Sequence, residues 1–186
     1  AGRALVASCL PHAYPVHKIS SIARGHAGGY TLKLPLNERR LMSRATFLDD
    51  IAMSLGGYVT EKEVFGDITT GPSNDLQVAT AMARNMVMKY GMSALGPIAL
   101  GEGDGNPRVF YSKEYSEAFG EKIDAEVKRI MDEAWGRARA IILDKKHVLT
   151  VIAEELMRVE SIEREEFETI LIAHSITPKR KEEIVV

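Results

Sequence analysis

The sequence predicts a mainly α-helical domain with one small β-sheet or hairpin near residues 16–34. Three observations carry that expectation. From Ser73 to Tyr90 and again from Ser112 to His174 apolar residues recur every three or four positions, the spacing of a helix face. Only residues 16–22 and 30–34 alternate with the period of two that marks a strand. The chain has 186 residues, 45% hydrophobic and 27% charged, which is ordinary for one globular domain. A domain of that size buries roughly 70% of the surface its unfolded chain exposes.

Residues 4–10 are apolar without a break and stop at Pro11, as the end of a buried helix would. Gly2 weakens its first turn, and Pro11 and Pro15 bracket a turn. Two short strands follow, joined through Arg24-Gly25-His26-Ala27-Gly28-Gly29 and closed by Pro35. A plain hairpin is one reading; a glycine pair that lets another backbone approach is the other. Residues 43–65 read as a helix capped by Ser43, with Phe47, Leu48, Ile51, Met53, Leu55, Val59 and Val64 on its apolar positions. Gly56-Gly57 interrupts it at ~1 kcal/mol each relative to alanine, a cost that points to close helix packing or a bend.

The next helix starts within Thr69-Thr70-Gly71-Pro72-Ser73-Asn74-Asp75-Leu76. Gly71-Pro72 does not fit inside a helix, so Ser73 or Asn74 is expected to cap it. Asp75 then falls in the first turn, where the helix dipole favours a carboxylate. The plain reading is that Asp75 does no more than complement the dipole. Leu76, Ala79, Ala83, Met86 and Tyr90 form the apolar face, and Gly91 ends the helix. Residues 94–112 show no period and read as a loop. Ile123, Val127, Ile130, Met131, Ala134, Ala138 and Ile141 mark a long amphipathic helix; Leu149, Ile152, Ala153, Leu156 and Met157 a second; Phe167, Ile170 and Leu171 a third, capped at Ser161. The domain is expected to span residues 1–176, with a charged tail over 177–186 that frays.

The net charge of −2 leaves no basic footprint for nucleic acid and no polybasic patch for a membrane. No apolar run approaches the ~20 residues that span a bilayer. One cysteine, Cys9, excludes an internal disulfide and a cysteine-rich metal site; it sits in an apolar run with no basic neighbour and reads as a core thiol. The chain opens without methionine and reads as a fragment of something longer. It contains no H-E-x-x-H, G-x-S-x-G or P-loop lysine motif. His12, His17, His26, His147 and His174 include no pair one helical turn apart. His12 and His17 could share a metal with Asp75, against the plainer reading of structural or solvated imidazoles. Trp135, Met82, Met86, Met88 and Met131 fall at helical spacings and read as core.

Seven stretches in order resemble the peptidase domain of FtsH-type membrane-anchored AAA+ zinc proteases. They are Ala1-Gly2-Arg3-Ala4-Leu5-Val6, Val16-His17-Lys18-Ile19-Ser20, Gly29-Tyr30-Thr31, Leu55-Gly56-Gly57 with Phe65-Gly66, residues 69–76, Ala83-Arg84-Asn85-Met86-Val87, and Tyr90-Gly91-Met92-Ser93. The resemblance implies a helix carrying H-E-x-x-H, whose histidines bind zinc and whose glutamate is the general base. It makes Asp75 the third metal ligand. It also implies a polypeptide substrate lying along the sheet edge at Gly28, Gly29, Tyr30, Thr31 and Leu32. A homo-hexamer is implied, with ATP bound only in a separate ATPase domain. The place implied is the cytoplasmic side of a bacterial inner membrane, without membrane or nucleic-acid contact by this domain.

The pattern breaks at the metal. The family's His-Glu would precede Ala1, so no catalytic residue is expected within these 186 residues. The second histidine falls on Arg3, whose guanidinium has no lone pair for a metal. Tyr58 stands where the family commonly has arginine. The expectation is a zinc endopeptidase domain, of a protease for unfolded or membrane proteins, that is itself zinc-free and inactive, with Arg3 paired to Asp75. The alternative is a degenerate, non-proteolytic relative acting as ring scaffold and substrate-handling module. A helical adaptor with no catalytic ancestry is the third class.

Overall fold

The computed structural model of the chain describes residues 1–22, 30–33, 41–100 and 115–179. In chain order the elements are α1 (Gly2–Cys9), β1 (Val16–Ser20), β2 (Tyr30–Lys33), α2 (Arg44–Thr60), a π-helical turn (Glu61–Phe65), α3 (Ser73–Met88), α4 (Glu117–Asp144), α5 (Lys146–Val159), β3 (Ser161–Glu163) and α6 (Arg164–Ala173). The fold is mainly α, as the periodicity predicts. No described helix is long and apolar enough to cross a membrane.

α2 is the central helix. It packs against α1, α3 and α4 and buries Leu48, Ile51, Ala52, Met53, Leu55 and Val59. Ser43 caps it as expected, its Oγ accepting the Thr46 N–H at 3.2 Å. The α-helix stops at Thr60 rather than running to Phe65, because the backbone widens into the π turn and ends on Gly66 at φ 73°.

Gly2 and Gly56 explain how closely α1 lies on α2. A Cβ at Gly2 would come within 2.1 Å of Thr60 Oγ1 and 2.7 Å of the Gly56 carbonyl oxygen. One at Gly56 would meet the Arg3 Cα at 3.0 Å. Of the two alternatives for the glycine pair, close packing therefore holds at Gly56. Gly57 faces open space, with nothing within 4 Å of its Cβ position.

Among the described residues the sheet has three strands in the order β2-β1-β3, both pairings antiparallel. Ser20 faces Tyr30 on one side and Ser161 on the other. The periodicity misses β3, because three residues carry no period. Ser161, expected as a helix cap, is instead a strand residue. The cap of α6 is Glu163, in a reciprocal capping box with Glu166. The turn into β3 places Glu160 at φ 60°, and its carbonyl accepts the Ser21 N–H at 2.9 Å.

Two other expectations shift. α3 starts at Ser73 behind Pro72 with no side-chain cap; the turn before it bonds the Ser73 N–H to the Thr70 carbonyl. Lys179, expected in a frayed tail, donates from Nζ to the carbonyls of Ala7 and Ala13, both at 2.7 Å, and burial pushes its pKa down to about 8. Residues 180–186 lie outside the described residues.

Two buried carboxylates brace the helices. Asp49, 1% exposed, accepts the His12 N–H at 2.7 Å and an Arg137 Nη2 bond, joining the turn after α1 to α2 and α4. Glu126 accepts from Arg129 Nη2 at 2.6 Å and from the Ala94 N–H at 3.1 Å. The Arg129 bonds, reinforced by Ala94, hold its carboxyl below the ordinary glutamate value of 4.5 against the opposing effect of burial.

Two outcomes follow. Gly56→Ala is expected to destabilise the domain by about 1–3 kcal/mol through overpacking. Gly57→Ala, with room for its methyl, is expected to be neutral or stabilising by up to about 1 kcal/mol. Urea titration followed by circular dichroism separates them, and equal effects would show that α1 does not press on Gly56. For Glu126 the folded-state pKa is the lower one. Its contribution is therefore full above about pH 4.5 and lost as the pH falls through the folded-state value. Thermal melts of Glu126→Gln are expected to lose part of that acid-side slope.

Candidate functional site

The loop before α3 is built to hold one carboxylate still. Glu61, in the π turn, accepts the Thr69 N–H at 2.7 Å and the Thr69 hydroxyl at 3.0 Å. The Thr69 hydroxyl accepts the Gly71 N–H at 3.1 Å, and Ser73 donates its N–H to the Thr70 carbonyl at 3.1 Å. Pro72 is buried behind this chain of bonds. Asp75 then projects from the first turn of α3, where the N-terminal end of the helix favours its charge.

Facing it across the α1–α2 crossing is Arg3, in the first turn of α1. Its Nη1 donates to Asp75 Oδ1 at 2.7 Å and to Oδ2 at 2.8 Å. Both side chains are largely enclosed, 29% and 20% exposed. One guanidinium nitrogen thus serves both carboxylate oxygens, while the buried Nε has no hydrogen-bond partner among the described residues. Sequence reasoning placed the two residues in one site although they lie 72 positions apart.

The pair forms one wall of a cleft of about 260 Å³, bounded by Gly57 and by Ser20, Tyr30 and Thr31 of the sheet. Of the residues expected along a substrate, Tyr30 and Thr31 line this cleft. Leu32 lies instead over a separate hollow beside His17 and Lys18. Gly28 and Gly29 are outside the described residues. Among the described residues β2, which carries Tyr30 to Leu32, is an outer strand of the sheet.

Zinc, which the resemblance implies, needs three or four donors. The described residues do not fit it. Asp75 is one carboxylate whose two oxygens already accept from a fixed cation, and Arg3 offers no lone pair. Among the described residues no three His, Cys, Asp or Glu side chains come together as a metal-binding group, so His12 and His17 do not join Asp75 in one.

A second hollow, about 360 Å³, opens next to the cleft along α2 and α3, between Tyr58, Leu76, Met131 and Trp135. Lys62 Nζ lies 5.3 Å from the Trp135 ring centroid and the Arg139 guanidinium 5.7 Å. Arg139 also pairs with Glu63 at 2.7 Å. The sequence reading put Trp135 in the core; it is half-buried, packed on the core and walling a hollow. The Trp135–Arg139 spacing of one helical turn was the available signal. Cys9, read as lacking a basic neighbour, feels Lys145 and Lys179; burial outweighs them and its thiol pKa is raised.

The model of "Peptidase family M41" matches residues 1–170. The ATP-dependent zinc metalloprotease FtsH of Kosmotoga olearia is 46% identical over 178 residues, covering 91% of this chain and 27% of that protein. The FtsH of Thermotoga maritima is 45% identical over 179 residues, covering 92% and 29%. The FtsH 1 of Conexibacter woesei is 43% identical over 175 residues, covering 91% and 27%. The chain thus spans less than a third of the length of these relatives. The loop that fixes Asp75, the glycine crossing that brings α1 to it and the small sheet alongside occur in a chain matched over nearly its whole length, and this chain belongs to peptidase family M41 as a peptidase domain of FtsH type.

Proposed function

We propose that this domain handles polypeptides without hydrolysing them, as the non-proteolytic relative of a zinc endopeptidase within a longer protein. The observation that carries this reading is the Arg3 Nη1 bond to both oxygens of Asp75. Asp75 keeps the place that the resemblance gives to the third metal ligand, and Arg3 takes the place of the second histidine. A guanidinium there neutralises the carboxylate and would repel a divalent cation. The conclusion does not depend on what precedes Ala1, because Arg3 alone removes a ligand.

The chemistry left is binding. Tyr30 and Thr31 on an outer strand border the cleft, and an extended chain laid along such an edge is held by main-chain bonds with little demand on side chains. That suits unfolded or membrane-derived polypeptides delivered by an ATP-driven ring. We place the domain in a homo-hexamer on the cytoplasmic side of a bacterial inner membrane, with ATP bound in another domain. The relatives named as ATP-dependent zinc metalloproteases support the ATP dependence in this reading.

The full-length protein is expected to purify with substoichiometric zinc and to leave casein intact when zinc and ATP are supplied. One tightly held zinc per chain, or casein cleavage, would overturn the reading. In a double-mutant cycle, Arg3→Ala and Asp75→Ala are expected to show a coupling of roughly 1 kcal/mol that weakens with salt. A coupling of zero would show that the pair does not hold α1 to α3.

A further inference from the structure

We propose that the hollow walled by Tyr58 and Trp135 receives an aromatic side chain of the polypeptide that the domain handles. The inference rests on the polypeptide-handling reading and assigns it a specificity pocket. The first ground is position. Gly57 lines the Arg3–Asp75 cleft and Tyr58 the hollow. Asp75 lines the cleft and Leu76 the hollow. On both α2 and α3, therefore, the residue facing the cleft is followed at once by the one facing the hollow. Consecutive residues on a helix point about 100° apart, so the two recesses share one ridge. A chain passing Arg3 in the cleft therefore runs beside residues whose immediate neighbours in sequence line the hollow.

The second ground is chemistry. The hollow measures about 360 Å³, at the small end of the range for ligand pockets and ample for one ring. Leu55, Leu76 and Met131 supply apolar surface, Tyr58 and Trp135 supply aromatic walls, and Asp132, paired with Lys128, also lines the hollow. The Lys62 ammonium lies within cation–π distance of the Trp135 ring, so a second ring entering beside Trp135 would meet both an aromatic wall and a cation at the rim. Both favour a π face over an aliphatic group of equal bulk.

The chain has one tryptophan, so Trp135 fluorescence reports this hollow directly. Three fluorescein-labelled extended peptides, alike except for a central Phe, Leu or Ala, would be titrated into the full chain and followed by anisotropy. Unlabelled versions would be followed by Trp135 emission. The Phe peptide is expected to bind about tenfold more tightly than the Ala peptide, with Leu between, and to shift Trp135 emission. Tenfold corresponds to about 1.4 kcal/mol. Tyr58→Ala is expected to abolish the preference while the Ala peptide still binds. Should Tyr58→Ala fail to fold, Lys62→Ala, at an exposed position, is expected to bring Phe down to the level of Leu. Equal binding of all three peptides with no change in Trp135 emission would overturn the pocket and leave polypeptide handling standing. No binding of any peptide would overturn both. An emission shift that follows protein concentration and not peptide would assign the hollow to a second copy of the chain and overturn the proposal.

Discussion

The contact between Gly2 and the Gly56 backbone is the constraint on which the site depends. Two helices with ordinary side chains keep their axes 8–10 Å apart. With no Cβ on either side, α1 settles until its backbone touches that of α2. That approach brings Arg3 alongside Gly56-Gly57 and within reach of the start of α3. Any side chain at Gly2 meets Thr60 and the Gly56 carbonyl at once. The entropic cost of two glycines in helices is thus offset by a geometry that larger residues would forbid.

Given that geometry, the chemistry of position 3 decides what the cleft can hold. A carboxylate held at a helix start attracts a cation, whether a metal or a guanidinium. Once Arg3 Nη1 sits between both oxygens of Asp75, the cation is covalently part of the chain and cannot be exchanged. At the partial burial of this pair, attraction between the charges is set against the cost of enclosing them, and the net contribution to stability is small. On the proposed reading the larger consequence is for binding, because a neutral wall stands where a metal would act as a Lewis acid. On the proposed reading, recognition then falls to the sheet edge and to the neighbouring aromatic hollow on the same two helices.

The rest of the framework keeps these elements in register. Asp49 joins the turn after α1 to α4 through His12 and Arg137, and Glu126 fastens the segment after α3 to α4. Breaking either network would leave a carboxylate enclosed without its partners, which costs more than the intact bonds contribute. The Glu160 carbonyl, presented by a left-handed residue, ties the end of α5 to β1 and sets where β3 can pair.

The sequence by itself determined the helices with a long apolar period, the two alternating strands and the loop that starts α3. Those signals are local, and over ten or more residues periodicity outweighs noise. It also determined, through the order of its motifs, that Arg3 and Asp75 belong to one site. Tertiary structure alone decided the remainder. β3 is too short to have a pattern and exists because β1 offers it an edge. Ile142 is buried in α4 where the spacing suggested Ile141, since neighbouring helices choose between adjacent residues on a face. The difference between Gly56 and Gly57 is invisible in a glycine pair, yet one touches a backbone and the other faces a cleft. Likewise Trp135 walls a hollow because α4 is covered there only in part. Periodicity states that a residue faces inward; how much neighbour it meets depends on elements far away in the chain.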